Sequence, residues 1–153
     1  MRPIPVAACL SLIHAFEKGP NGSFAATAYQ DPGGVWTIGW GHALAGPTDA
    51  VWTLAQADAQ ALTDLAYAAA GVSTTLASVI DTLTDGQYAA CIDLTFNIGV
   101  HAFATSTLAR LINEGNMTLA PLQFGRWNEQ NGAVLPGLVK RRAAEVDVWN
   151  ATA

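Results

Sequence analysis

The first apolar stretch, Ile4 to Ile13, runs at helical spacing into His14-Ala15-Phe16-Glu17, with Pro5 near its start, and predicts a first helix. Lys18-Gly19-Pro20-Asn21-Gly22-Ser23 is a run of turn formers that ends it, so Glu17 closes the helix and a loop follows. From Ala25 to Leu44 the period shortens. Thr27-Ala28-Tyr29 and Val35 to Trp40 read as strands, and Asp31-Pro32-Gly33-Gly34 between them is a turn signal, which together predict a small antiparallel hairpin. Beyond it the pattern is helical again. Thr53-Leu54-Ala55-Gln56 and Thr84-Asp85-Gly86-Gln87 both fit the capping box, in which residues three apart satisfy each other's free amides. The first starts an Ala-rich helix reaching about Ala70; the second starts one with Ala89, Ile92 and Phe96 on a core-facing side and Asp93 pointing elsewhere. Further helices are expected from Thr107 to Glu114 with Gly115 as stop, from about Pro121 to Trp127, and from Pro136 to Trp149.

Without an internal repeat or a dividing linker, the 153 residues are expected to form one domain, mainly helical with one small β insertion. Hydrophobic residues make up 51 % and charged residues 12 %, the former raised by the many alanines. A net charge of -5 with only seven basic residues argues against a nucleic-acid partner, which would need a clustered Lys/Arg surface. Met1 to Ile13 has the outline of a charged start and an apolar stretch. It is too short to span a bilayer and lacks a clear cleavage site, so it reads as a helix rather than as a signal or membrane anchor. Cys9 and Cys91 lie in apolar helical runs, where free Cys behaves as a small buried hydrophobe. A disulfide between them would need an oxidising compartment, and the sequence leaves both states open.

Among the few glutamates, Glu17 stands out: it follows Leu12, Ile13, Ala15 and Phe16 and closes its helix, where the negative end of the macrodipole disfavours a carboxylate and makes its proton easier to donate. An ordinary polar residue at a helix end would look the same locally. The segment Thr27 to His42 adds Tyr29-Gln30-Asp31, a glycine turn, then Thr37-Ile38-Gly39-Trp40-Gly41-His42. A glutamate ending the first helix, Tyr-x-Asp, a glycine turn and Thr-x-Gly-x-Gly-His together resemble the active-site hairpin of the phage-type lysozymes, glycoside hydrolase family 24. Leu83 to Gly99 resembles that family's long central helix, Phe103 with Ser106-Thr107-Leu108 the segment after it, and Gly137 to Glu145 its closing helix, ending at Trp149.

The resemblance implies an α+β lysozyme fold: a hairpin lobe, a long helix joining it to a larger helical lobe, and a cleft between them. It implies a muramidase, without cofactor or metal, that hydrolyses the β-1,4 bond between N-acetylmuramic acid and N-acetylglucosamine with inversion. Glu17 would be the general acid, and Asp31 and Thr37 would position the water. Phe96 and Asn97 match positions lining the sugar cleft, although a Phe at helical spacing also suits a core; Trp40 fits sugar or core equally. His42 is expected to brace the hairpin, and Arg141 or Arg142 to pair with the glutamate. His14, three residues before Glu17, has the spacing of a metal pair but no further ligands nearby, and His101 reads as a surface residue. The expected setting is a monomeric phage endolysin made in the host cytoplasm and acting on peptidoglycan in the periplasm, with no membrane anchor. One departure from the family is a longer stretch between Glu17 and Asp31, much of it in Gly19 to Ser23. It motivates an alternative, a non-catalytic lysozyme-like domain that binds peptidoglycan or scaffolds a partner. A transglycosylase would need the glutamate but no water-holding pair.

Overall fold

The helix predicted at the start of the chain is α1, Val6–Phe16, in the computed structural model, which describes residues 1–151. The carbonyl of Pro5 takes its first amide, from Cys9, at 3.1 Å. Strands β1 (Ala25–Gln30), β2 (Trp36–Gly39) and β3 (His42–Ala43) form one antiparallel sheet in the order β1-β2-β3, one strand more than the expected hairpin. Helix α2 (Leu54–Thr75) opens on the capping box: Gln56 N–H donates to Thr53 Oγ1 at 3.2 Å and Thr53 N–H to Gln56 Oε1 at 2.9 Å. It continues past Ala70 because Gly71, the residue that should weaken it, is a packing site where an added Cβ would lie 2.6 Å from Val100 Cγ1.

The chain packs as two units, Ile13–Asp64 and Met1–Leu12 with residue 65 onward, so both divisions fall inside continuous helices, α1 and α2. In the smaller unit Ile13, Ala25, Ile38, Trp40, Ala57 and Ala61 are buried. The larger unit is built on α3 (Asp85–Ile98), α4 (Val100–Ala104), α5 (Thr107–Asn113) and α6 (Pro136–Asn150). The segment expected as a helix from Pro121 is a 3-10 run, Ala120–Arg126. After it, β4 (Glu129–Gln130) and β5 (Ala133–Val134) make a hairpin that pattern reading missed, although its Asn131-Gly132 turn, at φ 53° and 78°, carries the usual two-residue signal. Strands of two residues leave no alternation to detect.

Helix α3 corrects another expectation. Tyr88 to Thr95 are all buried, so the helix is enclosed all round rather than on one face, and Asp93, expected to point elsewhere, is fully buried. Gly86 makes this possible, since a side chain there would collide with the carbonyl of Val148 on α6. Asp93 is held by Arg141 of α6 through two bonds, Nε to Oδ2 and Nη2 to Oδ1, each 2.9 Å. Beside them Arg142 donates to Glu145 Oε1 at 2.8 Å and to the Trp127 carbonyl at 3.2 Å. Burial alone would raise the Asp93 carboxyl, but the hydrogen bonds and charge of Arg141 hold it below its ordinary value. Burial, with the neighbouring Asp93 carboxylate, pushes Glu145 up to about 10. Cys9 and Cys91 are buried free thiols, the former pushed up to about 12 by burial and then by the charge of Asp93.

Glu145 is therefore neutral in the folded chain and charged in the unfolded chain above its ordinary value of 4.5, so its contribution to stability is present below pH 4.5 and is lost as pH rises towards about 10. Glu145→Gln should gain on the wild type over that range, measured as the difference in melting temperature against pH. Asp93→Asn, which leaves the guanidinium of Arg141 without its bidentate partner, should instead cost about 3 kcal/mol in denaturant unfolding at pH 7.

Candidate active site

Glu17 lies one residue past α1, and its amide still donates to the Ile13 carbonyl at 2.8 Å, so the side chain is carried by the last turn of the helix. The loop that follows closes on itself: Gly19 N–H donates to the Ser23 carbonyl at 2.6 Å and Gly22 N–H to the Gly19 carbonyl at 3.1 Å. It leads into β1, whose register with β2 pairs Tyr29 with Thr37 and Gln30 with Trp36. Side chains alternate along a strand and directly opposed residues share a face, so Tyr29, Asp31 and Thr37 stand on one side of the hairpin.

Val35 links the two water-holding candidates. Its amide donates to Asp31 Oδ1 at 2.8 Å, and its carbonyl accepts both the Asp31 amide and the Thr37 hydroxyl, each at 2.9 Å. Thr37 is 4 % exposed, whereas Asp31 is half-buried. The hydroxyl of Tyr29 is raised above its ordinary value by burial and then by the charges of Glu17 and Asp31, so both carboxylates lie within electrostatic reach of one phenol.

The turn from β2 to β3 completes the site. Gly39 and Gly41 have φ of 65° and 68°, a conformation that side-chain-bearing residues rarely adopt. A Cβ on Gly39 would meet the Trp52 ring at 2.9 Å, and one on Gly41 would collide with the Glu17 carboxylate. His42 Nδ1 meets Asp64 Oδ2 at 2.8 Å, tying β3 to α2, and Gln60 holds the other Asp64 oxygen at 3.0 Å. Trp40, for which sugar and core were both open, is 6 % exposed and stands in the core, its indole N–H donating to Asp58 Oδ1 at 2.8 Å. His14 is not free for a metal: its Nε2 meets the same Asp58 oxygen at 2.8 Å and its ring stacks on Trp40. Asp58 and Asp64 escaped sequence reading because an acid on an exposed helix pattern carries no sign of what folds against it.

In the larger unit, Phe96 is half-buried with the Arg141 guanidinium 6.0 Å from its ring centre, Asn97 is exposed at the end of α3, and Arg141 and Arg142 stand in the buried cluster with Asp93 and Glu145. His101 is exposed on α4.

Residues 20–145 match the family model for phage lysozyme. The chain belongs to that family. It is 41 % identical over 122 residues to an endolysin of Acyrthosiphon pisum secondary endosymbiont phage 1, covering 77 % of this chain and 82 % of that one. With the endolysin of Bacillus phage PZA it shares 35 % identity over 117 residues, which are 75 % of this chain and 44 % of the longer relative. The muramidase domain of SpmX from Asticaccaulis excentricus superposes with a TM-score of 0.84 at 33 % identity, over 99 % of this chain and 100 % of that one. The α+β architecture read from the sequence is thus the phage lysozyme architecture.

For this phage lysozyme, two glycine substitutions separate backbone conformation from close approach. Gly34, at φ 82°, has open space around its Cα, whereas Gly41, at φ 68°, faces Glu17. Gly34→Ala should cost about 1–2 kcal/mol for the left-handed conformation alone. Gly41→Ala should cost more, and of the two it alone should shift the titration of Tyr29, read by ultraviolet absorbance, as Glu17 is pushed away.

Proposed function

We propose that Glu17 protonates the glycosidic oxygen while Asp31 and Thr37 hold the water that attacks the anomeric carbon, cleaving the β-1,4 bond between N-acetylmuramic acid and N-acetylglucosamine. At the coarser level the chain is a muramidase, a glycoside hydrolase of bacterial peptidoglycan. The observation that carries the finer reading is the hydrogen-bonding of Val35, which leaves both water-holding groups as acceptors. The Thr37 proton is committed to the Val35 carbonyl and Asp31 Oδ1 to the Val35 amide. A water between Thr37 Oγ1 and Asp31 Oδ2 therefore donates both hydrogens and presents its lone pair outwards. As the C–O bond breaks, the Glu17 proton passes to the leaving oxygen, the water oxygen bonds to the anomeric carbon, and a water proton passes to Asp31. Attack from the face opposite the leaving group inverts the anomeric configuration.

In this reading no cofactor is required, and the substrate is the peptidoglycan of a host in whose cytoplasm a monomeric enzyme is made before acting on the wall. None of the described helices is long and apolar enough to cross a membrane.

The test is clearing of purified peptidoglycan by wild type, Glu17→Gln, Asp31→Asn and Thr37→Val. Glu17→Gln should lose activity by about 10²–10⁴-fold, as removal of a general acid does. Asp31→Asn should fall within the same range and Thr37→Val less. Freshly released reducing ends should be hydrated and of the α configuration by proton NMR. Anhydro ends would replace the hydrolase by a transglycosylase, and wild type no faster than Glu17→Gln would leave the non-catalytic binding domain.

A further inference from the structure

Within the smaller unit, one carboxylate oxygen gathers two otherwise separate parts of the chain. Asp58 Oδ1, on α2, accepts from Trp40 Nε1 at 2.8 Å and lies 2.8 Å from His14 Nε2. An ionised carboxylate only accepts, so the ring nitrogen facing it is the protonated one. The two rings that meet there also stack on each other, with centroids 4.4 Å apart and planes 30° apart, and Phe24 closes on Trp40 at 5.9 Å.

Each ring leads to Glu17 by a short rigid route. His14 stands three residues before Glu17 on α1, on the same side of the last turn. Trp40 sits between Gly39 and Gly41, and the bare Cα of Gly41 faces the Glu17 carboxylate. The direct covalent route is the poorer guide: Lys18 to Ser23 is a mostly exposed loop whose hydrogen bonds close on the loop itself. We propose that Asp58, His14 and Trp40 are positioning residues that hold the end of α1 and the β2–β3 turn at a fixed spacing, and so aim Glu17 across a connection too long to aim it alone.

The proposal rests on Glu17 as the acid. Steady-state kinetics on soluble peptidoglycan fragments should be compared for Asp58→Ala, Asp58→Asn, His14→Phe and Glu17→Gln, with Thr53→Ala as a control that removes only the cap of α2. Misplacement of a reacting group near 1 Å can cost about a hundredfold. Asp58→Ala should lower kcat by roughly tenfold to a hundredfold with KM within about twofold. Asp58→Asn, whose amide oxygen in the place of Oδ1 still accepts from both the indole and the His14 ring, should recover most of that loss. His14→Phe, which keeps a ring on Trp40 without the N–H, should lose kcat in the same sense, and it decides the matter if Asp58→Ala does not fold.

Unchanged kcat in Asp58→Ala or, where that variant does not fold, in His14→Phe, a loss confined to KM, or an equal kcat loss in Thr53→Ala at matched melting temperature would each overturn the proposal. A Glu17→Gln variant as active as wild type would overturn the acid assignment first, which keeps the two failures apart.

Discussion

The smaller unit depends on one close approach, the backbone of Gly41 against the carboxylate of Glu17. No residue with a Cβ could stand there, and the positive φ at Gly39 and Gly41 turns the chain back tightly enough to reach the end of α1. Once the turn is in place its neighbours follow. Gly39 admits the Trp52 ring, Trp40 reaches Asp58, and His42 reaches Asp64. Four consecutive residues thus each meet a different partner, and the motif Thr-x-Gly-x-Gly-His is a packing rule before it is a chemical one.

The two units are held by different physics. In the smaller one the sheet is short and the buried apolar side chains are few, so side-chain hydrogen bonds to Asp58 and Asp64 on α2 supply much of its definition. The larger one has an extensive core around α3, including Tyr88, Ile92, Leu94, Phe103, Leu108 and Phe124. Within it the Asp93–Arg141 pair is weak evidence for net stability, because desolvating two charges offsets most of their attraction. Its bidentate geometry sets the register of α6 on α3, and the Gly86 contact with the Val148 carbonyl fixes their distance.

The chemistry proposed for the site uses the hairpin as a template for hydrogen-bond polarity. Val35 offers its amide to one side chain and its carbonyl to the other, so a single residue of backbone takes up one Asp31 oxygen and the Thr37 proton. The register Tyr29 to Thr37 then places these groups on one face without help from the rest of the molecule. Aim at Glu17 is a separate problem, since Glu17 belongs to a helix and reaches the hairpin through a loop bonded to itself.

Much of this was legible in the residues. The capping boxes at Thr53 and Thr84 placed two helix starts, the turn formers after Glu17 and after Gln30 bounded α1 and the hairpin, and the motif from Tyr29 to His42 pointed to the phage lysozyme family. These signals are local: each depends on atoms within a few residues of one another. What only the tertiary structure decided are the pairings over long separations. Asp93 with Arg141, Trp40 and His14 with Asp58, and Gly71 with Val100 join residues whose types are compatible with many partners, and it is the folded packing that selects one. Burial followed the same division. An Asp in a helical pattern looks solvated until the opposing helix arrives, and a Trp between two glycines looks available until its N–H is shown to be bound.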